Sequence, residues 1–375
     1  MKRKKVLVIL LLLVVGSIFI FNSSTNKKKY FTVEGVKLAV GVDGTNQSDF
    51  PSMGEYNVSV DCTGVTGTWN YSNWELELSN MTSNSASCNI SFTSVPNTHT
   101  KLNEKIISLS GTTQGTGQIV NENGYRYEGK NPNNYVLFNG ELWRIIGVFG
   151  SETHGQLEDL TKIIRNESIG SYAWNKNLNN NWSVASLNTI LSTYYYNSQN
   201  GTGQTACYFY STSVPGNCDF RYTGLDATAR GMIQQVTWKL GGHIGADATA
   251  AAFYGYERGE TVSSGSPTTA TGYIGLMYPS DYGYSVLSSS CARTTNLGSY
   301  GSSFCGGQSW LLKHGFEWTM TPESSYDVFV VSYIADLSGI NTYNSSAVRP
   351  TAYLKSSVYI VSGDGSEANP YVIGN

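Results

Sequence analysis

Charge is scarce in this chain. Only 14 % of its 375 residues are Asp, Glu, Lys or Arg, and it holds 4 histidines and 9 prolines. So little charge, beside abundant Gly, Tyr, Ser, Thr and Asn, argues against a helical bundle and for a loop-rich β protein. An aromatic content of 13 % argues equally against disorder, since disordered chains lack such core material. The signatures of several enzyme classes are also missing. There is no Gly-x-Ser-x-Gly elbow and no His-Glu-x-x-His, which removes the usual hydrolase nucleophile and zinc-protease patterns. No cysteine pair has the Cys-x-x-Cys spacing of a zinc or redox site. The stretch Gly124-Tyr125-Arg126-Tyr127-Glu128-Gly129-Lys130-Asn131 approaches a P-loop but ends on Asn where Ser or Thr must hold magnesium, and an apolar strand follows it instead of a helix.

What charge there is divides unevenly. Residues 1–29 carry Lys2, Arg3, Lys4, Lys5, Lys27, Lys28 and Lys29 and no acid, a local charge of +7. The remaining 17 of the 24 basic residues face all 27 acidic ones, a net −10. An acidic body repels a phosphate backbone, so nucleic acid is not expected as a partner. The basic start suits anionic lipid headgroups. Between its lysines, residues 6–21 form an apolar run broken only by Gly16 and Ser17. This is the pattern of a signal peptide or membrane anchor. The run is shorter than the usual span of about 20 residues. No small-x-small cleavage site and no lipid-bearing cysteine follow it, which favours an uncleaved anchor at residues 1–29 with membrane contact through 6–21. Lysines on both flanks blur the orientation rule, so orientation rests on the cysteines.

There are six: Cys62, Cys88, Cys207, Cys218, Cys291 and Cys305. An even number in an exported chain implies disulfides and an extracellular location, on the cell membrane or secreted if the start is cleaved. Many pairings are open; sequence neighbours are the expected ones.

The length suits two domains at roughly 100–200 residues each. Residues 30–95 read as a small all-β, sandwich-like domain: Val58, Val60 and Cys62 alternate, as do Trp74, Leu76 and Leu78, and Cys88, Ile90 and Phe92. Residues 96–123, rich in Gly, Thr and Asn, read as a linker. The larger domain, 124–362, opens with a hairpin whose apolar arms 135–138 and 141–149 flank Asn139-Gly140, a pair that tolerates positive φ. Two helices are expected next. One follows Ser183, with Val184, Leu187, Ile190, Leu191 and Tyr194 on a face. The other carries Ala229, Met232, Ile233, Val236 and Leu240 and ends at Gly241-Gly242. Residues 243–347 lose regular patterning, as long functional loops do. Closing strands near 348–354 and 358–361 precede a tail, 363–375.

This order of hairpin, helices, long loops and closing strand is similar to the C-type-lectin-like fold, in its sulfatase-modifying (formylglycine-generating) branch and a related group of bacterial surface proteins. The resemblance rests on Leu142-Trp143-Arg144-Ile145-Ile146-Gly147, Ala185-Ser186-Leu187-Asn188, Gly275-Leu276-Met277-Tyr278-Pro279-Ser280, Trp310-Leu311, Trp318-Thr319 and Val348-Arg349-Pro350, spread over residues 124–360. It implies an α+β domain, a twisted antiparallel sheet with two helices, whose first and last strands pair and whose long loops share one face. The calcium-binding Glu-Pro-Asn triplets of the lectins and the reactive cysteine pair of the formylglycine-generating enzymes are not found, so neither activity is carried over.

The expected contact surface is a loop-rich stretch holding Tyr326, Phe329, Tyr333, Asp336, Tyr343 and Asn344, with Tyr278, Tyr282 and Tyr284 adding to it. Tyr beside Ser, Gly and Asn combines rigid aromatic area with adaptable polar groups; the alternative is that these tyrosines pack a glycine-rich core. Trp143, Trp310 and Trp318 are expected in the core. Arg144 and Arg349, inside apolar runs, are expected to be clamped to acids such as Glu141, Glu257 or Glu317. The clusters Asp43, Asn46, Asp49 and Asp364, Ser366, Glu367, Asn369 read as turns; no cofactor is expected, and calcium, which wants about six to eight oxygens, is the ion they most nearly suit. His99, His154, His243 and His314 read as scattered loop residues; His243 is the best placed for acid–base work but has no evident partner. The resulting expectation is a surface recognition or adhesion module, not an enzyme, binding a glycan or protein. Its alternatives are a structural envelope component and an envelope glycan-modifying enzyme that brings Glu257, Asp281 or Asp327 together in a pocket.

Overall fold

A computed structural model of the chain describes residues 30–375 apart from 34, 52–55, 72–73, 83–84, 96–98, 211–213, 288 and 314. The expected anchor, residues 1–29, lies outside the described residues. Among those described, no helix is long and apolar enough to cross a membrane. The fold is largely β, and the described residues fall in two compact units, divided between residues 98 and 99.

The first unit contains β1 (Tyr30–Val33), β2 (Val36–Val42), β3 (Thr45–Gln47), β4 (Tyr56–Thr63), β5 (Thr66–Asn70), β6 (Glu75–Ser79) and β7 (Ser87–Ser94). A five-stranded sheet runs β1-β2-β7-β4 with β3 on β2, and the hairpin β5–β6 covers one face, placing Trp69, Leu76 and Leu78 against Leu38, Ile90 and Phe92. Cys62 and Cys88 are bonded and stand directly opposite each other on adjacent antiparallel strands of that sheet, with Cα atoms 4.0 Å apart.

In the second unit a large sheet curls into a half-barrel. It is built from β8 (Thr113–Gln114), β9 (Gly117–Asn121), β10 (Tyr125–Gly129), β11 (Tyr135–Phe138), β12 (Glu141–Phe149) and β13 (Leu160–Arg165), joined by later strands. The turn between β11 and β12 has Asn139 and Gly140 at φ 56° and 72°, the conformation their pairing requires. Beyond it lie β14 (Ser171–Ala173), β15 (Tyr208–Tyr210), β16 (Val214–Pro215), β17 (Ile233–Gln234), β18 (Val236–Lys239), β19 (Thr269–Gly272) and β20 (Ile274–Gly275). Then come β21 (Glu317–Pro322), β22 (Asp327–Val331), β23 (Leu337–Asn341), β24 (Ser345–Ala347), β25 (Thr351–Leu354), β26 (Tyr359–Ser362) and β27 (Tyr371–Gly374). A second sheet runs β14-β24-β21-β22-β23.

Four expectations need correction. Residues 99–123 are no linker: a helix, Leu102–Ser108, buries Leu102 and Ile106, and β8 and β9 extend the large sheet. Leu102, Ile106 and Leu109 do recur at helical spacing, a short signal lost among the Gly, Thr and Asn residues that follow. The tail is likewise structural, since β27 pairs in parallel with β11, Val136 opposite Tyr371. The second helix stops early. Capped by the Asp226 carboxylate, which accepts from the Ala229 amide at 2.7 Å, it covers Ala227–Met232 and gives way to β17 and β18. Ile233, Val236, Thr237 and Trp238 are β-branched or aromatic and prefer extended backbone where a strand edge is on offer; β17 takes the edge of β25. Finally, the segments 135–149 and 348–361 share the large sheet but are not neighbours: β13 lies between β12 and β25.

Candidate functional site

The β22–β23 hairpin decides what the sequence-predicted contact residues can do. Within β22, alternate residues cannot all face solvent, and both sides of this strand are covered. Phe329 is fully buried, edge-on to Phe253 with ring centroids 5.2 Å apart. It is core, and its expected place in a contact surface is corrected. Tyr326 precedes β22 and Tyr333 follows it. Seven residues of extended chain at about 3.3 Å each separate them by roughly 20 Å, so the stretch presents two faces instead of one.

At the first end Tyr326 is 47 % exposed. Its carbonyl accepts from the Thr342 amide at 3.1 Å, which brings Tyr343 and Asn344 to the same end. Tyr343 lies edge-on to Tyr210, centroids 6.0 Å apart. Tyr210 stands in β15, within the loop closed by the Cys207–Cys218 bond. An asparagine-rich segment backs the cluster. The Thr342 hydroxyl donates to the Asn177 carbonyl at 2.8 Å, and the Asn180 amide donates to the Asp327 carbonyl at 3.1 Å. Asp327 is held by the Ser324 hydroxyl at 2.9 Å and by the Asn341 amide. Lys176 extends over Tyr208, 5.6 Å from the ring centre. A small cleft of about 10 Å³ borders this end, lined by Asn180, Asn181, Trp182, Thr261, Ser266 and Pro322 among others. That is below the ~300–1,000 Å³ of a typical small-molecule pocket.

The second end is more apolar. Tyr333 is 70 % and Ile334 52 % exposed, and Phe316, 42 % exposed, packs edge-on to Tyr333 at 5.8 Å. Asp336 is half-buried and accepts from the Gly301 amide at 2.6 Å. The Tyr282 hydroxyl donates to the Ala335 carbonyl at 2.7 Å, which pins the turn. Tyr278, Tyr282 and Tyr284 are all buried, so they pack core and add nothing to either face. Sequence reading missed Tyr208, Tyr210 and Phe316. A signal existed for the first two, because Tyr208-Phe209-Tyr210 sits inside a short disulfide loop, where aromatic residues have no core to enter.

The residues expected to be structural are buried. The Trp310 and Trp318 indole N–H groups donate at 2.8 Å to the Tyr127 and Tyr172 carbonyls, and Trp143 packs on Phe138. Arg349 pairs with Glu317 at 2.7 Å. Arg144 departs from expectation: among the described residues it forms no ion pair, and it donates instead to the Asn134 side-chain carbonyl at 2.5 Å, between the rings of Tyr135 and Trp310. Burial lowers its pKa to about 10. Glu257 and Asp281 do approach each other, but inside the protein, at the start of the helix Pro279–Tyr284, with Glu257 accepting from the Ser280 amide at 2.8 Å. Burial raises the Glu257 carboxyl to about 7. Asp327 belongs to the surface end described above. His154 is buried against the Phe149 carbonyl, and His243 stacks on Tyr256 with ring centroids 4.1 Å apart; His314 lies outside the described residues. Among the described residues no group of three or more His, Cys, Asp or Glu side chains could hold a metal ion. Asp43 instead closes a contact with Ser94, and Asp364 accepts from the Ser366 amide at 2.9 Å.

The three disulfides, which join sequence neighbours, are those of an extracellular or secreted protein. No family model, curated protein or solved structure matches the chain.

Proposed function

We propose that the 99–375 unit is a surface recognition module that binds a glycan or protein through the Tyr326 end of the β22–β23 hairpin. The observation that carries this is the meeting of Tyr326, Tyr343, Asn344 and Tyr210 on loops fixed by a hairpin and a disulfide. Aromatic faces offer apolar area to sugar C–H groups or peptide side chains, and the amides around them supply both donors and acceptors. Rigid placement lowers the entropy lost on binding. In this reading residues 6–21 anchor the chain and the first unit is a spacer. The C-type-lectin-like assignment belongs to the same proposal and rests on the largely β fold and the ordered motifs, since the strand pairing expected of it, 135–149 beside 348–361, is interrupted by β13.

The test is an array of glycans and extracellular proteins probed with the chain and with Tyr326→Ala and Tyr343→Ala. Binding that both variants weaken, with unchanged melting, supports the reading. Binding that survives both, or that Tyr333→Ala alone removes, moves the site to the opposite end. The apolar character of Phe316, Tyr333 and Ile334 favours a second reading of that end, a packing surface for a neighbouring envelope protein; in that case the array stays blank.

A further inference from the structure

The most enclosed charged groups lie away from both loop ends, where β13 passes beneath the helix Pro279–Tyr284. Lys162 is fully buried and Asp281 is 3 % exposed. Lys162 Nζ stands 2.5 Å from Asp281 Oδ2. Neither side chain is free to leave. Lys162 is mid-strand, paired with Gly147 on β12 and Tyr353 on β25. Asp281 is held from two further sides, Oδ2 accepting from the Tyr278 amide at 2.9 Å and Oδ1 from Arg126 Nη1 at 3.0 Å. Rings wall the amine in: Tyr278 at 4.2 Å, Trp238 at 5.5 Å and Tyr353 at 5.5 Å from Nζ. An ammonium has three N–H donors, and among the described residues Asp281 supplies its one hydrogen-bond acceptor.

We infer that Lys162 and Asp281 become joined by an isopeptide bond that the fold itself forms. A buried ion pair carries a desolvation cost of several kcal/mol per ion, and an amide removes both charges while keeping a single N–H. Holding Nζ against the carboxylate replaces a bimolecular encounter with an intramolecular one, the equivalent of a very high local concentration. Burial works against the charged amine and pulls Lys162 below its ordinary range, while Lys162 and Arg126 hold the Asp281 carboxyl below its own despite burial, so the proton transfer that opens the reaction runs uphill and sets a slow step.

The step balances without a co-reactant. A proton passes from the ammonium to the carboxylate along the existing contact. The neutral Nζ then attacks Cγ, forming the C–N bond and a tetrahedral oxyanion on Oδ1, where the Arg126 guanidinium already donates. A second proton leaves nitrogen for Oδ2, the Cγ–Oδ2 bond breaks, and Oδ2 departs as water. Ammonium plus carboxylate become amide plus water, and nothing is oxidised or reduced. Arg126 keeps the ring faces of Phe149 and Tyr284, 4.6 and 4.7 Å from its guanidinium carbon. Glu257, buried beside Ser280 at 2.6 Å from its hydroxyl, gives the same dry region a second carboxyl. The product ties β13 to the helix across 119 residues of chain, a closure that reducing agents do not open.

The test is mass spectrometry of the intact chain, denatured and fully reduced, followed by peptide mapping. The expected result is one branched species holding the Lys162 and Asp281 peptides, lighter than their sum by one water, which Lys162→Met abolishes. Recovery of the two peptides separate and unmodified overturns the inference, as does a lost water that maps elsewhere. If Lys162→Met does not fold, the map of the unaltered chain still decides.

Discussion

The two units solve the same problem differently. In the first, one face of a sheet is covered and the other is open, so β4 alternates between half-buried and exposed residues along its whole length. Its core is a small group of aliphatic side chains around a few rings, with Trp69 and Phe92 edge-on at 4.9 Å, stapled by a cross-strand disulfide. In the second, β21 and β25 are buried at every residue and β13 at all but its last. Covered on both faces, these strands carry charges inward, and each charge must find a partner: Arg349 finds Glu317, while Lys162 and Arg126 share Asp281. A sheet with one wet face is stapled across its own strands to hold a thin core, whereas the two disulfides of the large unit, Cys207–Cys218 and Cys291–Cys305, close short loops outside its sheets. A sheet buried on both faces has core enough, and its weak points are the ions inside it.

The sharpest break of that comparison lies in the large unit. Phe329→Ala removes a fully buried ring and should cost about 3–5 kcal/mol, read as a lower denaturant midpoint. Arg349→Ala leaves the Glu317 carboxylate buried and alone, also at about 3–5 kcal/mol. Acidity is the next lever. The Glu257 carboxyl, raised from 4.5 to about 7 by burial, binds its proton more tightly folded than unfolded. Its contribution is therefore present at acid pH and lost as pH rises from about 4.5 through 7, on the order of 3 kcal/mol. His154, lowered by burial, works oppositely, costing stability as pH falls below its ordinary 6.5. The difference between the intact chain and Glu257→Gln across this range isolates the first effect; parallel stability curves would refute it.

Removing the staple of the small unit by Cys62→Ala with Cys88→Ala should cost about 2–4 kcal/mol there and leave the melting of the large unit in place. A common loss in both transitions would mean that the units do not unfold separately. The smallest effect is expected at the loop ends: Tyr326→Ala and Tyr333→Ala should each change stability by no more than about 0.5 kcal/mol, in contrast to Phe329→Ala in the strand between them.

The same contrast explains what could be read in advance. The alternation of Val58, Val60 and Cys62 was legible because water lies on one side of β4. The β11–β12 turn was legible because Asn139-Gly140 suits few other conformations. Phe329 was not, because an aromatic residue among Tyr, Ser and Gly looks the same whether it points into a core or out of it. The helix ending at Met232 was misjudged for a related reason: the apolar spacing of residues 229–240 suits a helix, and only the free edge of β25 made extended pairing the better use of Ile233.

By itself the sequence determined the local chemistry: a basic and apolar start, an even set of cysteines, turns at Asn-Gly, and a body too poor in charge to be helical or disordered. Tertiary structure decided which tyrosines face water, which strands β27 and β13 join, and that Lys162 meets Asp281. Those outcomes depend on contacts between residues far apart in the chain, and a side chain's environment there is set by what lands on it, not by what precedes it.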